Sequence, residues 1–377
     1  MMRYIAYVPG IKLAGLLVCL WACHTGNSQI ATPNNKPIKA AWLTNVGSNL
    51  LASAAGIRTA VQVAKQSGLN TICTVVWNRG YTQYPSAVMQ RYFGQAIDPA
   101  YRGRNPLQEL ITEAHRQGIQ VIAWFEFGFA AAYQQEGQHI LQHYPHWASR
   151  DAQGRVVSEN GFTWMNSFHP QVQQFMLELI EEVVRNYQVD GIQGDDRLPA
   201  APVRAGYDIY TTNLYRQQHQ GQYPPQNHLD TNWINWRANL MNEFGKTLYH
   251  RVKAIKPKLL VAHAPSIYPW SKEHYLQDWP TWLHQGFTDV VMPQVYRYNL
   301  TAYQRTLDEM LTQVGNQQHR VFPGMLTSLA DGFLMDTTLL RQCIEYNRSK
   351  GLQGEAFFYF EGLRRTPLFY KQTYTRL

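Results

Sequence analysis

The segment with the greatest chemical potential is Asp190-Gly191-Ile192-Gln193-Gly194-Asp195-Asp196, a short strand-like run that ends in two adjacent carboxylates. Neighbouring residues of an extended chain point to opposite sides. Asp195 and Asp196 are therefore expected to diverge, one toward a substrate and the other toward a loop or an adjacent strand. Asp at such a place also serves as a helix cap or a loop ion pair. Cleavage of a glycosidic bond takes two carboxyl groups, one to protonate the leaving oxygen and one to attack or to activate water. A second acid must then come from another segment. Glu126, in Trp124-Phe125-Glu126-Phe127, is the candidate, because burial among aromatics raises a carboxyl pKa toward that of a useful acid. A structural ion pair is the competing reading for it. Glu361 follows the last strand-like run and is better placed than Glu355, which starts that run.

A ring of hydrogen-bonding and aromatic residues follows the other apolar runs: Asn45, Trp77-Asn78-Arg79, His263, Gln294 and Tyr296. Each alone is weak, since a polar residue at an apolar strand end is often simply hydrogen-bonded structure. Together they suit hydroxyl bonding and ring stacking on a sugar.

The elements that would position these residues alternate regularly. Strand-like runs are expected at Ala40–Thr44, Asn70–Trp77, Ile119–Phe125, Val189–Gln193, Leu259–His263 and Asp289–Met292, with another beginning at Arg320–Phe322 and an eighth at Gly354–Tyr359. Amphipathic helical segments separate them, among them 54–66, 106–117, 170–187, 232–256, 301–314 and 337–350. Eight such units predict an α/β fold, a (β/α)8 TIM barrel in a single domain with long βα loops. An open doubly wound sheet is the rival, but no Gly-rich phosphate turn is present. The long connections 78–105, 126–169 and 197–231 all follow strand C-termini, the face where barrel enzymes build their sites.

Composition agrees without deciding. The 377 residues include 11 Trp and 23 Tyr, and the formal net charge is +8. Lys and Arg are dispersed with no dense basic tract, which argues against nucleic acid and fits a polyanionic glycan or an anionic membrane surface equally well. At the N-terminus, Arg3 and Lys12 precede the apolar run 13–22, too short to span a bilayer and suited to a secretory signal. Leu20-Trp21-Ala22-Cys23 resembles a lipobox with an atypical Trp, making Cys23 the candidate lipidation site; an ordinary cleaved signal is the alternative. The expected order is thus a signal over 1–23, a polar tether over 24–38 and the barrel over 39–377. The product would be exported, periplasmic or envelope-associated, with a lipid anchor if Cys23 is acylated. Cys73 and Cys343 show no zinc-type spacing, and neither a metal nor another cofactor is expected.

Several of these blocks, taken in order, resemble glycosyl-hydrolase-like family 10: Ala41-Trp42-Leu43-Thr44-Asn45, Val75-Val76-Trp77-Asn78-Arg79-Gly80-Tyr81, Tyr84-Pro85-Ser86, Trp124-Phe125-Glu126, Asn166 with His169-Pro170, Val189 to Asp196, and Met292-Pro293-Gln294-Val295-Tyr296. The resemblance spans roughly 39–363. It implies a bacterial envelope barrel, often a lipoprotein, in a family that includes a division-associated hydrolase of peptide-free peptidoglycan strands. It also implies that Asp195 and Asp196 fall on the family's strand-four acids and Glu126 on its strand-three carboxylate. One departure stands out. Relatives follow the paired Asp with an aromatic-rich run, whereas this chain has Arg197-Leu198-Pro199. Arg197 is suited either to a substrate carboxylate or to clamping the two Asp. The expected activity is glycoside hydrolysis of an envelope polysaccharide, peptidoglycan strands first. The alternatives are another glucan, or a glycan-binding barrel without catalysis.

Overall fold

The computed structural model describes residues 37–376; the expected signal, the Cys23 lipidation site and nearly all of the tether lie outside the described residues. Eight parallel strands form the frame: β1 (Lys39–Leu43), β2 (Thr71–Val75), β3 (Gln120–Phe125), β4 (Gly191–Gly194), β5 (Leu260–His263), β6 (Val290–Val291), β7 (Gly324–Leu326) and β8 (Glu355–Phe358). Each pairs with its sequence neighbour, and β8 pairs back onto β1. Between β6 and β7 the ladder consists of two isolated parallel bridges, Val291 with Val321 and Gln294 with Gly324, which complete the ring. The fold is the expected (β/α)8 barrel.

Local chemistry explains the helices that surround it. In α1 (Ala54–Gln66) the Ser53 side chain accepts from the Gly56 N–H, while Ile57, Ala60, Val61 and Ala64 form one buried stripe. The N-terminus of α2 (Pro106–Arg116) has Pro at its start and Asn105 as cap. Pro170 opens α3 (Pro170–Asn186), and Asp230 caps the 25-residue α4 (Thr231–Ile255). The ring continues with α5 (Trp279–Gln285), α6 (Leu300–Val314), α7 (Thr337–Ser349) and α8 (Pro367–Arg376).

The expected long loops carry structure of their own. The β3–α3 connection folds into a three-stranded antiparallel sheet of Ala130–Tyr133, Phe162–Trp164 and Ser158–Glu159. The β4–α4 connection contains a helix over Ile209–Gln218. Three strands differ most from expectation. β2 stops at Val75 rather than Trp77, and Trp77–Asn78 pairs instead with Tyr81–Thr82 in an antiparallel hairpin. β6 shrinks to two residues, and β7 starts after Pro323 rather than at Arg320, because proline has no N–H to give a ladder.

Candidate active site

Strand register brings the acids together. Trp124 pairs with Gln193 and Phe125 with Gly194, so β3 and β4 end level and Glu126 emerges beside Asp195. Inside the barrel Trp42 Nε1 donates to Gln193 Oε1 at 2.7 Å, and the Trp42 and Trp124 rings lie 6.4 Å apart. Residues two further along share that inward direction, which sends Glu126 and Asp195 to the C-terminal mouth.

Arg197 is the hub. Its Nη2 reaches Asp195 Oδ2 at 3.0 Å, its Nη1 reaches Asp196 Oδ1 at 2.8 Å, and its Nε donates to the Glu126 carbonyl at 3.1 Å. The guanidinium rests against an aromatic pair, 4.6 Å from the Phe162 ring centre and 5.7 Å from that of Phe127. The expectation that Asp195 and Asp196 would point apart assumed an extended chain. Here the strand ends at Gly194 and the chain enters a turn over 196–199, which folds Arg197 back over both carboxylates. Two glycines permit it. A Cβ on Gly194 would lie 2.2 Å from the Leu198 carbonyl oxygen, and one on Gly128, at φ +49°, would lie 2.2 Å from that of Arg197.

The three acids differ in surroundings. Asp195 is buried, with Oδ1 accepting from Gln294 Nε2 at 3.0 Å. Burial, then the neighbouring Asp196 charge, pushes its carboxyl well above the ordinary value against the pull of Arg197. Glu126 is also raised, by burial first; Arg197 and the bonds from Asn78 and Thr44 oppose the shift. Asn78 Nδ2 and Thr44 Oγ1 both donate to Glu126 Oε2, at 2.6 and 3.2 Å. Its Oε1 is left without a hydrogen bond among the described residues. Asp196 is partly exposed, its side chain 23% accessible, where Asp195 is buried. Tyr296 faces all three acids; burial, then their charge, drives its hydroxyl pKa well up, so it stays a neutral donor. Among the described residues, no three His, Cys, Asp or Glu side chains gather in a metal-holding arrangement.

A family model described as glycosyl hydrolase-like 10 matches residues 37–334. The chain belongs to the glycosyl hydrolase-like 10 family. Relatives include the glycosyl hydrolase YngK of Bacillus subtilis, 22% identical over 81% of this chain and 62% of that protein, and the glycosyl hydrolase DigH of Escherichia coli K12, 25% identical over 61% and 55%. The chain thus spans about six-tenths of the length of the curated relatives it matches. Among solved structures, the PgaB (BpsB) glycoside hydrolase domain of Bordetella bronchiseptica superposes with TM-score 0.66 at 15% identity, covering 90% of this chain and 98% of that one. An α-L-fucosidase of Paenibacillus thiaminolyticus gives TM-score 0.63 at 17% identity over 90% of this chain and 49% of that one. These likenesses share the barrel fold.

In this member of the glycosyl hydrolase-like 10 family, the other residues singled out in the sequence separate into two groups. Asn78, Gln294, Tyr296 and Arg197 join the acids. Asn45 lies next to Thr44 at the end of β1, with its Oδ1 buried and unpaired. Trp77 does not join them: it is fully buried, gives its Nε1 proton to the Gly128 carbonyl and packs edge-on against Phe175 of α3. His263 is likewise buried on the helix side of β5, bonded to Thr288 and packed 4.8 Å from the Trp282 ring, and burial pushes its pKa down to about 3. Arg79 turns outward to an ion pair with Glu136 at 2.5 Å. Glu361 is held by Ser48 at 2.6 Å and Arg364 at 2.7 Å. The sequence reading passed over Thr44, Phe127, Phe162 and Gln277, whose Nε2 supports the Asp195 carbonyl at 2.9 Å. Thr44 and Phe127 lay beside residues already singled out; Phe162 and Gln277 come from long connections with no local pattern.

Proposed function

We propose that this protein is a glycoside hydrolase that cleaves an envelope polysaccharide, peptidoglycan glycan strands being the leading substrate. The observation carrying this reading is the gathering of Glu126, Asp195 and Asp196 at the barrel mouth around one guanidinium, which pairs with both Asp carboxylates and takes the Glu126 backbone carbonyl. Three carboxylates and a single cation leave excess negative charge in a poorly solvated place, so the group holds a proton above the ordinary carboxylate range. Glu126 is the general acid: its pKa is raised, and Oε1 is free to hand a proton to a leaving glycosidic oxygen while Oε2 is fixed by Asn78 and Thr44. Asp196, partly exposed, is the carboxylate that attacks the anomeric carbon or activates water. Asp195 positions Arg197, and the charge of Asp196 helps keep the proton on Glu126. Gln294 and Tyr296 bind sugar hydroxyls beside the acids. Names of the relatives support glycosyl hydrolysis, and the N-terminal sequence supports export with Cys23 as the anchor point.

The test is to incubate the purified protein with peptide-free glycan strands and size the products. Released oligosaccharides, absent with Asp196→Asn, are expected. Intact strands alongside a glycosidase that degrades them would remove this substrate.

A further inference from the structure

A cavity of about 400 Å³ is lined by the polar residues Asp151, Gln153, Arg155, Arg204, Gln226 and His228. Its construction is economical. The Asp151 carboxylate is buried and serves two guanidiniums, Arg155 at 2.8 Å and Arg204 at 3.4 Å. It also accepts the Gln153 and Arg155 N–H groups at 3.0 Å each, which locks it in place. The arginines stay open to solvent, their side chains 64% and 44% exposed. Arg204 is the less satisfied: beyond the 3.4 Å contact it has only Glu159, at 4.0 Å and outside the cavity lining. The lining therefore carries two fixed positive charges against one buried negative charge. Burial, then Arg237 and Arg204, pushes His228 below its ordinary value, in keeping with positive surroundings.

The cavity is joined to the acids by the hairpin of Ser158–Glu159 and Phe162–Trp164. Glu159 faces Arg204, Asn160 Nδ2 donates to the Tyr275 hydroxyl at 3.1 Å, and Phe162 lies under Arg197. Tyr275 in turn feels the Asp196 charge. One short hairpin thus touches the acid cluster and the basic cavity.

We propose that this cavity is an anion-selective glycan subsite that takes the carboxylate of an acidic sugar unit some way along the chain from the bond being cleaved. Guanidinium groups held by a buried carboxylate present preset donors to a planar anion. The Gln153 and Gln226 amides suit the hydroxyls around it. The proposal rests on the reading that the mouth binds glycan, and deepens it by naming an acidic polymer rather than a neutral glucan.

The experiment uses the full chain carrying Glu126→Gln, to stop cleavage, with peptide-free muramyl oligosaccharides whose lactyl carboxylates are either intact or reduced to alcohols. Calorimetry is expected to give at least about tenfold tighter binding of the carboxylate form, the size of one charge-assisted hydrogen bond, with the preference shrinking as salt rises. Arg155→Gln with Arg204→Gln brings the two ligands to parity. Equal affinities in the protein with both arginines intact, a comparison needing no change in the cavity, overturn the subsite. So does a preference that survives the double substitution, which would assign it to Arg197. Cleavage of both glycans with equal kcat/KM by the unsubstituted protein sinks the subsite and leaves the hydrolase. Selective binding without cleavage does the reverse.

Discussion

The two rims of this barrel use the same residue types to opposite ends. At the N-terminal rim, Asp190, Asp289 and Glu355 each meet a basic partner of their own: His115 at 2.8 Å, Lys253 at 2.6 Å and Arg348 at 3.0 Å. Asp190 and Asp289 also accept the Val121 and Val261 N–H groups of the neighbouring strands, at 2.7 and 2.8 Å. At the C-terminal rim three acids share one arginine. A matched carboxylate ties strand to helix, whereas an outnumbered cation leaves acids with perturbed protonation. Structural support is thereby separated from chemistry within a single ring, as barrels generally arrange it.

The sharpest break in this comparison is Glu126→Gln. It keeps the bonds to Oε2 but removes the transferable proton, and turnover on glycan strands is expected to fall about 10²–10⁴-fold, the usual worth of a general acid, with the melting temperature little changed. An activity loss under twofold would remove Glu126 from the chemistry. The lower rim should respond in reverse. Glu355→Ala leaves Arg348 and the Tyr374 hydroxyl without their buried partner and is expected to cost about 3–5 kcal/mol in urea unfolding, while turnover per folded molecule is retained.

Asp195→Asn sharpens the contrast through its sign. A carboxyl whose folded pKa is raised favours the fold fully below its unfolded pKa, and that contribution is lost as pH rises through the folded value. Near neutrality the wild type therefore carries a penalty that Asn lacks. The variant should be more stable by about 0.5–2 kcal/mol at pH 7–8, with the gain vanishing below the ordinary carboxylate range, yet less active. A destabilised variant at every pH would show that Asp195 acts as a structural acid of the lower-rim kind. Smallest of all, Arg79→Ala removes a largely solvated pair with Glu136; a stability change under about 1 kcal/mol and unaltered kcat/KM are expected.

Much of the barrel was legible because its signals are local. The α1 range 54–66 matches the structure residue for residue, since the Ser53 cap and the apolar stripe both lie in the chain itself. Strand four and its carboxylates were legible for the same reason. Glu126 could be named but not placed, because its partnership with Asp195 is set by the β3–β4 register. The Arg197 clamp depends on a turn whose geometry needs two close approaches at glycines in different loops. Trp77 and His263 show the opposite limit. The alternation of β5 turns His263 toward the helices, where Trp282 covers it, while β2 stops at Val75 and Trp77 enters a separate hairpin with Tyr81–Thr82 that lays it against Phe175. Membership of the hairpin 158–164 was invisible, its strands being only two and three residues long.

The β6–β7 junction, with its two lone bridges between residues flanking Pro293 and Pro323, makes this ring a hoop with a clasp. Few protected amides hold the clasp, those of Phe322, Gly324 and Val295, so these should exchange with solvent hydrogen ahead of the amides deep in β2 and β3. Gln294 lies within the clasp and grips Asp195. Local opening there would loosen the wall of the mouth while the strands bearing the acids stay fastened by their full ladders.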